Sequence, residues 1–353
     1  MEVNLTLPNL LSPQDMFTLL GLIKESRHIV ICGHYAPDGD AVGACLGWQS
    51  YLYKLGKRAH IVLPNAFPDF LRWLPGSQYI TFFSEQAKQA QSLLNEADLI
   101  FCLDFSQPQR LQDMASAVFQ TKAKKVVFDH HEGLEPTAFD FAISHPTLSS
   151  TCEIVFRLIY ELGGYEDFTR SGATALYTGL MTDTGNFAYA SNRPEIFAVV
   201  ALLVQKGIER DWIYRKVFNS WSEHRLRLWN YVLDKNLRFY EDHRAAIFTL
   251  SREEMKAHKY IRGDAEGLVN EPLKVRGMKL SISLREDTER DIIRVSLRST
   301  NGFHCREMAE KYFNGGGHDD AAGGQLPFPL SEALLTAEKA IVTYAETLRG
   351  EMA

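Results

Sequence analysis

Apolar runs end abruptly in acids and histidines four times in the first half of this chain. His28-Ile29-Val30-Ile31-Cys32 leads into Gly33-His34-Tyr35-Ala36-Pro37-Asp38-Gly39-Asp40, and Leu99-Ile100-Phe101-Cys102 leads into Leu103-Asp104. Lys125-Val126-Val127-Phe128 ends in Asp129-His130-His131, and the run Ala175 to Met181 ends in Thr182-Asp183-Thr184-Gly185. Each run reads as strand-like or buried. Helical periodicity returns between them, and Asp40 to Trp48 opens a helix of small residues that can lie close to a sheet. Over residues 1 to about 190 this alternation predicts a parallel sheet covered by helices. Acids and histidines at the carboxyl ends of successive parallel strands converge on one crevice, where open α/β sheets keep their ligands.

The pattern then changes. Residues 194 to 236 read as mainly helical, with Pro194 suited to a first turn and Gly207 to a break. The charged, periodic stretch Ser222 to Lys235 reads as a connector. Short strands follow: Ala245–Leu250, Met278–Leu284 and Asp291–Arg298, the last two joined by a polar turn from Glu286 to Asp291 that predicts a hairpin. The Gly-rich segment Asn314 to His318 follows a helix, and a terminal helix covers roughly 331 to 349.

At 353 residues the chain exceeds one comfortable domain, so two are expected, each with a full core. The net charge of -6 disfavours a protein that grips long duplex nucleic acid through many phosphates. It leaves room for a short anionic substrate held by local cations. No basic segment followed by an apolar core opens the sequence, and the longest apolar run, Ile196 to Val204, is too short to span a bilayer. Cys32, Cys45, Cys102, Cys152 and Cys305 show no CxxC spacing and read as reduced core thiols. A cytoplasmic setting is the expectation.

His34, Asp38 and Asp40 form an H-x-x-x-D-x-D array in a loop that Pro37 and Gly39 can fold tightly. Such a loop can give His34 and Asp38 to one cation and Asp40 to a second; its bland alternative is a polar turn with helix-capping aspartates. Asp104 and Asp183, each alone, would read as turn or cap residues. Asp129-His130-His131 is the strongest piece, because a buried strand seldom ends in two histidines for packing reasons. Asp129 beside a ligating histidine can fix its tautomer. The donors are carboxylate and imidazole without thiolate, which favours Mn²⁺, with Mg²⁺ or another first-row divalent ion next, over structural zinc. Two such cations about 3.5–4 Å apart activate a water and clamp an in-line displacement at phosphorus. In the second domain, Ser296-Leu297-Arg298-Ser299 and Gly315-Gly316-Gly317-His318 suit a phosphate: the glycines expose backbone N–H groups and the arginine can bind it bidentately.

Together these motifs resemble the DHH/DHHA1 phosphoesterase family. The carriers are G-H-x-x-P-D-G-D-A-x-G at 33–43, Asp104, D-H-H at 129–131, T-D-T-G at 182–185, E-G-L-V-N at 266–270, S-L-R-S at 296–299 and G-G-G-H-x-x-A-A-G at 315–323. Length and layout look most like the nanoRNase/pAp phosphatase subgroup. The resemblance implies an α/β fold: a DHH domain over 1–220 with a parallel sheet, a helical connector over 221–238, and a smaller DHHA1 domain with a mixed sheet over 239–353. It implies that His34 and Asp38 bind one Mn²⁺, that Asp40, His130 and Asp183 bind another, and that Asp104 bridges them. His131 would stand at the phosphate or leaving group, with Asp129 supporting His130. Arg298, Ser299, Gly315, Gly316, Gly317 and His318 would hold the far end of the substrate across an interdomain cleft. Ser150 or Thr151, ahead of the apolar helix 154–160, is expected to cap it and touch a phosphate. The implied substrates are short single-stranded RNA, linear dinucleotides and pAp, with no long duplex and no membrane; a homodimer is left open. The rivals are a pyrophosphatase- or exopolyphosphatase-like hydrolase and a nucleotide sensor that binds without cleaving. A sensor would be expected to have lost ligands, and none is missing.

Overall fold

The computed structural model describes residues 7–300 and 302–350. The chain divides after Ser220 into two compact units. The first carries α1 (Pro13–Glu25), β1 (Ile29–Cys32), α2 (Gly39–Lys54), β2 (Ala59–Leu63), β3 (Thr81–Phe82), α3 (Ala87–Glu96), β4 (Leu99–Leu103), α4 (Ala115–Phe119), β5 (Lys124–Asp129) and β6 (Phe141–Ser144). Four helices complete it: α5 (Thr151–Glu161), α6 (Arg170–Asp183), α7 (Pro194–Gln205) and α8 (Arg210–Phe218). The strands form one parallel sheet in the order β3-β2-β1-β4-β5-β6. The order reverses between β1 and β4, and the loops beyond their carboxyl ends diverge there to leave a crevice.

Successive strand residues feed two cores, because side chains alternate across a sheet. Ile29, Ile31, Phe101, Leu103, Val126 and Phe128 pack on one side, with Trp48 of α2 edge-on to Phe101 and Phe128 at 5.3 and 5.0 Å between ring centres. Val30, Cys32, Ile100, Cys102 and Val127 pack on the other. Helix starts follow their capping residues: Ser12 accepts from Asp15 N ahead of Pro13, and Thr169 accepts from Gly172 N. Helices α2 and α6 cross closely. A Cβ at Gly43 would stand 2.5 Å from the Ala175 carbonyl oxygen, so only glycine lets the backbones approach this far.

One expected strand is a helix. The run Ala175 to Met181 lies inside α6, so Asp183 sits at a helix end and not at a strand end. Gly172 through Met181 are buried without a break, and a run that is apolar or small on every side carries no periodicity to tell helix from strand.

The second unit carries α9 (Glu223–Tyr231), β7 (Arg238–Tyr240), β8 (Ala245–Leu250), α10 (Arg252–Ala257), β9 (Leu280–Glu286), β10 (Ile292–Ser299), α11 (Arg306–Tyr312), β11 (Gly316–His318), β12 (Ala321–Pro327), α12 (Leu330–Thr343) and α13 (Ala345–Arg349). Its mixed sheet runs β11-β12-β10-β9-β8-β7, antiparallel except for the β8–β9 pair. The polar turn after Glu286 closes the β9–β10 hairpin. The stretch read as a connector is part of this unit's core: Leu228, Trp229 and Val232 pack with Phe248, Leu250, Met255 and Leu268. Glu223, Arg227, Asp234 and Lys235 are exposed and mask a buried stripe that takes in even Arg225, which lies over the Trp221 and Trp229 rings. Gly316 to His318 of the Gly-rich segment form the edge strand β11. All five cysteines are free and buried. Among the described residues, no helix is long and apolar enough to cross a membrane.

Candidate metal centre

The loop after β1, the end of β4, the end of β5 and the amino end of α5 surround the crevice beside the switch in strand order. Asp38 caps α2, its Oδ1 accepting from Asp40 N at 3.0 Å and Ala41 N at 3.1 Å, and this turns Asp40 inward. Asp40 accepts from the first N–H groups of α5, Thr151 N at 2.7 Å and Cys152 N at 2.9 Å. A carboxylate is well placed at the positive end of a helix. Asp104 takes a left-handed backbone conformation, with φ of 67°, and accepts from the Thr151 hydroxyl at 2.9 Å. Left-handed residues other than glycine carry strain and cluster at functional sites.

Asp104 is shared by the donor sets His34–Asp38–Asp104 and Asp40–Asp104–His130, and by a third with Asp129 and His131. His34 Nε2 lies 3.8 Å from Asp38 Oδ1 and 3.4 Å from Asp104 Oδ2. His130 Nε2 lies 3.7, 3.6 and 3.5 Å from carboxylate oxygens of Asp40, Asp104 and Asp183. Donors about 2.1 Å from a shared cation stand about 3–3.5 Å apart at octahedral to tetrahedral angles, so these spacings fit metal ligands better than direct hydrogen bonds. Side chains of His34, Asp40, Asp104 and His130 are at most 6% exposed, whereas Asp38, Asp183 and His131 are 46%, 26% and 24% exposed and mark the mouth.

Charge also asks for a cation here. Burial pushes the Asp40 carboxyl well up, and the nearby charges of Asp104 and Asp183 push it further. Asp183 is raised to about 6 by burial, with Asp38 and Asp104 adding to it against His130. Burial alone would lower the His34 imidazole, but the Asp104 and Asp38 carboxylates override it and hold it up at about 10. His130 behaves alike, reaching about 9 under the charges of Asp183, Asp40 and Asp104. Both imidazoles therefore carry protons at neutral pH without a cation. A cation that enters displaces those protons, so its apparent affinity rises with pH.

Asp129 supports a different histidine from the one expected. Its Oδ1 lies 2.8 Å from His131 Nδ1, while His130 Nδ1 faces the Leu148 carbonyl at 3.3 Å. Burial alone would raise the Asp129 carboxyl, but the hydrogen bond to His131 and the charges of His131 and His130 together bring it below its usual range. Adjacent residues at a strand end point to opposite sides, which is why Asp129 reaches the histidine two positions on and not its neighbour.

Ser150 and Thr151 are fully buried, so neither faces a phosphate. Ser150 caps α5 through Glu153 N, and the Thr151 hydroxyl and N–H go to Asp104 and Asp40. Their place is behind the carboxylates. Sequence reading also missed Glu153, buried and paired with Arg193 at 2.6 Å, although Ser150 three residues before it is a helix-start signature.

In the second unit, Arg298 and His318 are both opposite Ala321, on the two strands flanking β12. Opposed residues share a face of the sheet, so the two side chains stand on one face about 10 Å apart between backbones. Ser299 is buried, its hydroxyl accepting from Cys305 N at 3.2 Å. Gly316 and Gly317 lie in β11 with Gly315 just ahead, and a Cβ at Gly315 would meet the Gly323 carbonyl oxygen at 1.8 Å.

The sequence model described as "DHH family, N-terminal domain" matches residues 28–180, and that described as "DHHA1 domain" matches residues 247–345. The chain is 32% identical over 299 residues to a bifunctional oligoribonuclease and PAP phosphatase NrnA of Thermus thermophilus, covering 84% of each protein. A crystal structure of an exopolyphosphatase-related protein from Bacteroides fragilis superposes with a TM-score of 0.91 and 42% identity, over 98% of this chain and 100% of that one. RecJ of Thermus thermophilus in complex with Mn²⁺ shares the fold at a TM-score of 0.55 and 14% identity, over 97% of this chain and 56% of RecJ.

Proposed function

The chain belongs to the DHH/DHHA1 family of phosphoester hydrolases, and on that premise we propose that it cleaves short oligoribonucleotides and linear dinucleotides to mononucleotides, and removes the 3′-phosphate of pAp. The observation that carries this is the donor sets that share Asp104, with His131 at the mouth and its partner Asp129 buried behind it. Similarity to the NrnA of Thermus thermophilus supports the nucleotide substrates.

His34 and Asp38 would hold one divalent cation, Asp40, His130 and Asp183 a second, with Asp104 between them. When bound, such cations, Mn²⁺ foremost, supply an activated water and neutralise charge on the phosphoryl group. The remaining work falls to this chain's side chains. Asp129 engages Nδ1 of His131 and so leaves Nε2 for the substrate side, where it can give a proton to the departing 3′-oxygen. Arg298 and His318, on one sheet face, would take a substrate phosphate or base. The five free, buried thiols support work in a reducing cytoplasm.

The test is a Mn²⁺-supplemented assay on labelled RNA from dinucleotide to decamer, with pAp and inorganic polyphosphate in parallel. Preference for the shortest RNAs and loss of activity with chelator are expected. Phosphate release from polyphosphate alone would sink the nucleotide reading in favour of an exopolyphosphatase activity. Asp129→Asn should lower turnover by about ten- to a hundredfold while cation content stays near that of the parent protein. Loss of one cation equivalent in that variant would mean that the Asp129–His131 pair holds metal.

A further inference from the structure

The segment that follows Asp183 has no part in the reading above, yet it is strained and firmly held. Gly185, Asn186, Phe187 and Ala190 all have positive φ, between 47° and 65°. Phe187 and Ala190 adopt such a conformation only when their surroundings impose it. Thr184 imposes it from one end: its hydroxyl donates to Leu180 O at 2.7 Å and accepts from Phe187 N at 3.0 Å, and its carbonyl accepts from Ala188 N and Tyr189 N. At the other end the Ala190 carbonyl accepts from the Ser149 hydroxyl at 2.7 Å. Arg193 donates to Ser149 and to Glu153, whose carboxylate also accepts from Ser149 N at 2.9 Å. Ser149 and Glu153 flank the amino end of α5, whose Thr151 and Cys152 hold Asp40 and Asp104. One buried network thus fixes both the carboxylates and this segment.

What the segment presents is Tyr189, 56% exposed. Its ring lies over Gly185: a Cβ there would come within 2.7 Å of ring atoms Cδ2 and Cε2, so only a glycine leaves room for it. Gly185 is two residues from Asp183, one of the exposed side chains at the mouth. An aromatic face kept open to solvent by a strained segment tied to buried Thr184, Ser149 and Glu153, at the rim of a phosphoester site, suits a flat partner that arrives with the phosphate. We propose that Tyr189 is the stacking surface for the nucleobase next to the scissile phosphate, an inference that rests on the nucleotide reading above. Every base has a π-face, so this platform would hold short RNA without selecting its sequence.

The test compares the parent protein with Tyr189→Ala and Tyr189→Phe on a diadenylate and on the same dinucleotide with abasic riboses, in Mn²⁺. Tyr189→Ala should lose roughly five- to a hundredfold in kcat/KM on the diadenylate, mostly through KM. Tyr189→Phe should stay within about twofold of the parent, because the ring face is retained. All three proteins should treat the abasic compound alike and melt alike. Unchanged kcat/KM in Tyr189→Ala, or an equal loss on both substrates with a lowered Tm, overturns the stacking role. A parent protein that ignores the diadenylate and hydrolyses polyphosphate overturns the functional reading, and this inference with it.

Discussion

Asp104→Ala and Asp104→Asn should both lose turnover by on the order of 10³ or more, the largest effect expected of any single side chain here. Asp104 is common to the His34–Asp38 and the Asp40–His130 donor sets, so on the proposed assignment its loss would remove a ligand from each and the link that sets their spacing. The asparagine variant isolates charge from structure. Asparagine tolerates the left-handed backbone at this position and can still accept from the Thr151 hydroxyl. Alanine does neither, so it should also cost some stability. Turnover, bound cation per chain and melting temperature measured together separate these effects. Substantial Mn²⁺-dependent activity in a folded Asp104→Asn protein would dismiss the shared-ligand assignment.

Gly179→Ala should destabilise the first unit and impair catalysis at once. Inside a helix this exchange ordinarily stabilises by about 1 kcal/mol. Here the new Cβ would stand 2.3 Å from Cys152 Sγ, 2.8 Å from the Gly39 carbonyl oxygen and 3.0 Å from Asp40 Cα. Two of those atoms are backbone and cannot swing aside, so overpacking of about 1–3 kcal/mol or more offsets the helix gain. The strain falls on Gly39 and Asp40, so a carboxylate of the proposed metal centre would move with it. Gly21→Ala in α1 is the control, because a Cβ there meets nothing within 4 Å and the ordinary gain should appear. Equal stability and full activity in Gly179→Ala would mean that α2 and α6 are not packed this closely.

Much of the site was legible in the chain because its residues come in short clusters after recognisable strands. His34, Asp104 and Asp129 follow or end β1, β4 and β5, and parallel strands deliver their carboxyl ends to one edge whatever the detail of the helices. Asp183 was legible only as a motif; the wholly buried α6 that carries it has no periodicity to betray its helical state. The partner of Asp129 was misread, since sequence adjacency says nothing about which neighbour a strand-end side chain can reach. A cap at Ser150 or Thr151 was legible, and Ser150 is the one that caps; burial there depends on α5 docking over Asp40, a contact between residues more than a hundred positions apart.

The sequence by itself determined the fold class, the family and the residue types available to bind cations, because strand periodicity, turn chemistry and clustered motifs are local properties. The family resemblance already named Asp104 as the shared carboxylate; only the tertiary structure decided that Asp129 serves His131, that Thr151 stands behind the carboxylates, and that Tyr189 stands open to solvent. These depend on distances between segments far apart in the chain. Such distances are set by how closely α2, α5 and α6 pack on the sheet, and no local pattern encodes them.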